Sequence, residues 1–389
     1  MFPFEIEPLR ETCSELDLLA RQIDARIMPR RWSGHLRRSL EAASVAASTR
    51  LEGVAVTVSD VQRILAGDKP PAVSAVDAAL VQGYADAMTY VQRRADDGTL
   101  AWSAELLIGL QDRIVAGRAD HGAGRFRPRA VWITGPDGRQ VFSPPDHERV
   151  PELVAEICAQ AEAAPWHAAV KSAWLHVALA AVHPFEDGNG RTARVAASLA
   201  MYRGGFRDPA FTSLEEWWGR HPADYYASFD CLGEAFDPSA DVTSFVETHV
   251  LAQLKQSTGF AVAQKTNGML MITLENLLDD RGLPSRLANA LYDGMFGLDV
   301  TTATYADLSD VSAATARNDL AAAVAAGLLR AEGRTRGRTY ATDDRLLDAL
   351  ADALDVDPHL DAIRAELAIR AAADVTADRE RALRDVSSD

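Results

Sequence analysis

The twelve residues His183-Pro184-Phe185-Glu186-Asp187-Gly188-Asn189-Gly190-Arg191-Thr192-Ala193-Arg194 constrain the fold more than any other stretch of the chain. They stand between two apolar runs, Trp174, Leu175, Val177 and Leu179 before and Val195, Leu199 and Met201 after, both of which read as helices. A loop with two glycines must therefore join two helices and run straight into the N-terminus of the second. A helix start presents unpaired N–H groups and the positive end of its dipole, and glycines let backbone amides come close to an anion. The geometry suits a diphosphate.

Each polar type in the segment then has a physical task. His183 can take a proton near neutral pH, which suits removal of a hydroxyl proton. Asp187 offers a hard oxygen for Mg²⁺, an ion usually held by one or two carboxylates plus phosphate oxygens. Asn189 can donate its amide to a phosphate. Arg191 and Arg194 stand three apart, on one helical face, where both can neutralise phosphates. Phe185 would anchor the loop in the core.

The rest of the chain is mostly helical in pattern. Apolar residues recur at helical steps between Pro8 and Asp60 (Leu16, Leu18, Leu19, Ile23, Ile27), and helix continues over 75–93, 104–115 and 150–163. The exception is 129–142, where β-branched and aromatic residues flank Gly135-Pro136-Asp137-Gly138, a hairpin signature stopped by Pro144 and Pro145. A second hairpin candidate lies at 327–341. With 389 residues the chain needs two or three domains, and the connection at 279–284 follows a change of character near Asn267. No apolar run approaches the ~20 residues of a membrane span, and Met1-Phe2-Pro3-Phe4-Glu5 has no secretory pattern, so a cytoplasmic protein is expected. Cys13, Cys158 and Cys231 have neither disulfide nor zinc spacing and read as small apolar residues. A net charge of −16 repels nucleic acid over most of the surface.

Residue for residue, 183–194 resembles the signature of the Fic family, His-Pro-Phe-x-Asp/Glu-Gly-Asn-Gly-Arg-x-x-Arg. The resemblance implies a protein adenylyltransferase that moves AMP from ATP to a Ser, Thr or Tyr hydroxyl of a target protein or of itself. His183 would be the base, Asp187 the Mg²⁺ ligand, Gly188, Asn189 and Gly190 the cradle of the α- and β-phosphates, and Arg191 and Arg194, with Thr192 and Ala193 between them, the grip on the phosphate tail. The hairpin, with Val131, Trp132, Ile133 and Thr134 on its first arm, is similar to the family's flap, which aligns the target segment by strand addition. Tyr225 and Tyr226 resemble a pair placed near the nucleotide base. Upstream, Ser48-Thr49-Arg50-Leu51-Glu52-Gly53 puts Ser48 and Glu52 on one face at a helix end. It resembles the family's inhibitory motif, in which Glu52 would pair with Arg194 and turn the α-phosphorus of bound ATP out of line. The resemblance also allows a homodimer.

Residues 302–341 read helix, turn, helix, hairpin, with Ser312 able to cap the second helix and four arginines in 330–340 against one Glu. This resembles a winged helix, which allows DNA contact through Arg334, Arg336 and Arg338, with Thr315, Arg317 and Asn318 on the groove-facing helix, or contact with protein. The expected architecture is thus mainly α: an N-terminal helical region with the inhibitory helix (1–100), a Fic core with a β-hairpin flap (101–260), a winged helix-turn-helix domain (261–345) and an acidic helical tail (346–389). Two alternatives stay open: a DNA-binding regulator using the core as a nucleotide sensor, and a Fic enzyme with other nucleotide specificity or AMP-removing activity.

Overall fold

The computed structural model describes residues 1–25, 30–135, 138–207, 214–297, 300–333 and 338–386, with the side chains of 24–39 and 382–386 outside the description. Ile27, Pro136, Asp137, Arg334 and Arg336, invoked above, lie outside the described residues. The chain is mainly helical, and its contacts divide it into two units, one of residues 1–25 and 32–257 and the other chiefly of 258–389.

In the first unit, α1 (Arg10–Ala25) and α2 (Arg30–Leu51) are followed by α3 (Val58–Leu65), α4 (Ala75–Arg94) and α5 (Ala104–Ile114). Side-chain caps set the starts of the last three: Thr57 and Asp60 form a capping box, and Ser74 and Ser103 each accept an N–H of the first turn. A short antiparallel hairpin comes next, β1 (Ile133–Thr134) with β2 (Gln140–Phe142), pairing Ile133 with Phe142 and Thr134 with Gln140 around a bulge. Strand order is shorter than the sequence pattern suggests because Val131 and Trp132 stay outside the ladder. Ser143 then exchanges backbone bonds with Glu234 and Phe236, which fixes the outgoing arm.

The centre of this unit is α7 (Ala168–Val182) packed on α8 (Asn189–Arg203). Both are buried on nearly all sides, as expected for helices without a wide polar face. α4 and α5 flank α8, while α6 (Val150–Ala163) covers α7. Phe185, fully buried, meets Phe126 at a ring-centroid distance of 5.8 Å and anchors the α7–α8 loop. Two short helices, α9 (Glu215–Arg220) and α10 (Pro222–Ala227), precede α11 (Thr243–Asp280), whose first part belongs to this unit.

The second unit has its own core, with Leu270, Leu274 and Leu278 of α11, Leu291 of α12 (Ala288–Met295), Tyr305 of α13 (Thr302–Ser309) and Leu320 of α14 (Ala313–Ala325). Ser312 caps α14 by accepting from Thr315 N. The antiparallel hairpin β3 (Leu329–Glu332) and β4 (Thr339–Thr342) follows, with Val300 bridging Tyr340, and then come α15 (Asp344–Leu354) and α16 (Leu360–Val386). No helix among the described residues is long and apolar enough to cross a membrane.

Candidate active site

α7 ends on His183, whose backbone lies in the left-handed region at φ 50°. That conformation costs a non-glycine residue roughly 1–2 kcal/mol, so something must hold it. Arg127, 2 % exposed, does so. Its Nε donates to the His183 carbonyl at 2.8 Å, while Nη1 and Nη2 donate to the carbonyls of Arg129 and Pro145 on either side of the hairpin. One guanidinium thus ties the histidine backbone to both roots of the hairpin. On the ring, Nδ1 faces the Ala180 carbonyl at 3.4 Å. A carbonyl can only accept, so the proton sits on Nδ1 and the Nε2 lone pair is left to take another. Burial pushes the His183 pKa down to about 4, so the ring is neutral at pH 7.

Asn189 closes the loop on itself: its amide donates to Phe185 O at 2.9 Å and its oxygen accepts from Phe185 N at 2.8 Å. Gly188 sits before α8 at φ 82°, a turn that L side chains resist. Asp187 accepts from Gly188 N at 2.5 Å and from Arg191 Nη2 at 3.0 Å, and its second oxygen meets His121 Nδ1. Burial would raise the Asp187 pKa, yet the His121 bond, the Arg191 charge and the Gly188 N–H together hold it below the usual carboxylate value. Arg191 is 2 % exposed, and its Nε and Nη1 have no partner among the described residues; neither does the buried Thr192 hydroxyl. Buried donors seldom go unpaired, so two unpaired donor nitrogens of a cation at a helix mouth point to an anion. Ala193 is fully buried and contributes packing.

Arg194 is 3 % exposed and makes four side-chain hydrogen bonds to three residues. Nε donates to Ser48 Oγ at 2.9 Å, Nη2 to Ser48 O at 3.1 Å and to Glu52 Oε1 at 2.8 Å, and Nη1 to Tyr225 Oη at 3.1 Å. Burial alone would lower its pKa, but the oxygens of Tyr225 and Glu52 outweigh that and hold it well above the ordinary value. Gly53 ends α2 at φ 84° and leaves Glu52 facing α8. A Cβ on Gly190 would stand 2.4 Å from Glu52 Oε1, so the absent side chain is what lets the carboxylate reach the start of α8.

The two tyrosines divide. Tyr225 is 4 % exposed, bonded to Arg194 and to His176, whereas Tyr226 is 55 % exposed and donates to Leu51 O at 2.9 Å. On the flap, Trp132 is 63 % exposed, Val131 and Ile133 are half-buried, and Thr134 is exposed. The sequence reading missed His121, Arg127 and the buried residues beneath Arg194: His176, His249, and Glu215 with its bonds from Tyr84 and Ser44. Only Arg127 left a trace in the sequence, as an arginine just before the hairpin.

Residues 101–201 match the model of the Fic/DOC family. They form a Fic domain. Beyond that match, the chain is 38 % identical over 120 residues to protein adenylyltransferase fic-1 of Caenorhabditis elegans, covering 30 % of this chain and 21 % of that one. It is 26 % identical over 180 residues to protein adenylyltransferase Fic of Nematostella vectensis, covering 46 % and 40 %. The chain therefore spans about a fifth of the length of the nematode relative. In fold, it is similar to a Fic family protein from Desulfovibrio desulfuricans G20 (TM-score 0.58, 21 % identity, 88 % of this chain and 98 % of that one). It is also similar to residues 134–508 of C. elegans Fic-1 (TM-score 0.55, 22 % identity, 66 % and 73 %). The Fic domain contains α5 to most of α8, and hence His183, Arg127, His121 and both arginines. Ser48, Glu52, Tyr225 and His176's partner His249 reach it from elements on either side.

Proposed function

We propose that the chain is a protein adenylyltransferase held in check by Glu52. The observation that carries the reading is a carboxylate on Arg194 at the glycine-lined start of α8, beside an Arg191 with unpaired donors. That is the place for the tail of a triphosphate. The target hydroxyl attacks the α-phosphorus of ATP, His183 Nε2 takes the hydroxyl proton, the bond from the α-phosphorus to its bridging oxygen breaks, and pyrophosphate leaves. Negative charge arriving with the phosphates raises the basicity of the His183 ring from its depressed value.

Asp187 would hold a Mg²⁺. It fits by donor chemistry, since it is an ionised carboxylate at the helix mouth, and phosphate and water would supply the other ligands. Among the described residues no cluster of three His, Cys, Asp or Glu side chains exists to hold a metal without phosphate. When bound, Mg²⁺ would neutralise charge on the leaving phosphates. Both oxygens of Asp187 already accept bonds, so His121 would yield its contact.

Glu52 takes the arginine that the phosphate tail needs, so ATP binds with its α-phosphorus out of line and turnover falls. In the same reading, Val131 to Thr134 dock the target segment, Tyr226 lies toward the base, and residues 261–345 are a winged-helix domain used for contact with protein. Incubation with α-labelled ATP and Mg²⁺ tests the proposal. Glu52→Gly is expected to label itself at least tenfold more than the unaltered chain, and His183→Ala in that background to lose the label. Equal labelling with and without Glu52 removes the inhibitory role; no label on any variant removes the transferase.

A further inference from the structure

We infer that Tyr225, backed by His176 and His249, is the positioning residue that keeps Arg194 aimed at a phosphate tail when Glu52 gives way. This rests on the adenylyltransferase reading. Of the four hydrogen bonds on Arg194, three come from the segment that inhibits it: Ser48 Oγ, Ser48 O and Glu52. The fourth, from Nη1 to Tyr225 Oη, comes from α10. Among the described residues it is the one side-chain hydrogen bond of Arg194 that is independent of that segment.

Charge sets the direction of everything behind it. A guanidinium only donates, so Tyr225 Oη accepts from Arg194 and its own proton must go elsewhere. His176 Nε2 lies 3.1 Å away and takes it. That fixes His176 with its proton on Nδ1, which faces His249 Nε2 at 3.0 Å. The line Arg194 to Tyr225 to His176 to His249 is then donor to acceptor with one consistent set of tautomers, and it ends on the buried Nδ1 of His249, which has no hydrogen-bond partner among the described residues. Both imidazoles are 2 % exposed and stacked among aromatic rings, His176 edge-on to Phe245 at 5.7 Å and His249 against Trp218 at 4.9 Å. Burial lowers the pKa of each far enough to keep it uncharged, so neither competes with Arg194 for an anion. Had the role been only to fill the core, phenylalanines would fill it without four polar atoms to satisfy.

The test compares nucleotides that differ in the part Arg194 grips. In the Glu52→Gly chain, Tyr225→Phe is expected to raise KM for ATP about tenfold with kcat within about twofold, and to weaken ATP binding in calorimetry while AMP binding is unchanged. His176→Leu should do the same, and His176→Gln, which keeps an acceptor for the Tyr225 hydroxyl, should recover most of the loss. Equal weakening of ATP and AMP would overturn the inference in favour of general support of the fold, and so would unchanged ATP binding. A Glu52→Gly chain that binds ATP without transferring it would sink the transferase reading alone, since the ATP and AMP affinities still decide the role of Tyr225. A chain that binds no ATP would sink both.

Discussion

His176 and His249 are neutral in the fold because burial penalises their charged forms, His249 to a pKa of about 3. In the unfolded chain each takes a proton near pH 6.5, so the unfolded state binds more protons below that value. Stability is therefore complete above pH 6.5 and is lost as pH falls, by about 1.4 kcal/mol per pH unit for each imidazole. We expect His249→Phe to flatten the dependence by about that amount between about pH 6 and pH 5, measured by urea unfolding; an unchanged slope would mean that His249 is charged in the fold. At this scale the sequence was most legible where chemistry is local. His183, Asp187, Gly188 and Gly190 mark a glycine-lined helix start within a dozen residues, and Ser48 with Glu52 marks a helix face. His121, 66 positions from Asp187, and Arg127, 56 from His183, could not be paired from a linear pattern.

Between the α7–α8 loop and the hairpin, Arg127 is the shared fastening. Three backbone carbonyls from three places accept from its nitrogens, and no neutral side chain can replace that fork. Arg127→Ala would leave those carbonyls unpaired and release the left-handed His183, costing about 3 kcal/mol or more. Arg127→Lys should rescue little, because one ammonium cannot span the set. A urea midpoint for Arg127→Ala equal to that of the unaltered chain would show the fastening to be dispensable. Helices were readable in the sequence from apolar periodicity and, at Ser312, from a cap, since capping is decided within four residues. The flap was readable as a hairpin but not in length, because its arms are held by Ser143 meeting Glu234 and Phe236, far along the chain.

Across the whole molecule the net charge of −16 weighs against nucleic acid. In the second unit, Arg317, Asn318 and Arg338 are exposed, but Asp319 on the same helix turns inward to a bidentate pair with Arg286 and a bond from Tyr305. The balance over 301–340 is five basic against four acidic residues, too small to offset the rest. At about 150 mM salt we expect no retardation of a duplex of roughly 20 base pairs; a shift that fades as salt rises would restore the regulator reading. Charge is legible from composition alone, whereas the use of a helix-turn-helix surface depends on a partner that composition does not name. The clasp of α2 on Arg194 carries one last consequence. Ser48 braces the arginine with two bonds while Glu52 occupies it with one, so under the proposed function brake and scaffold would share a single segment. Cutting that segment away and silencing its acid are different operations: the second frees a poised guanidinium, and the first leaves it standing on a lone phenol.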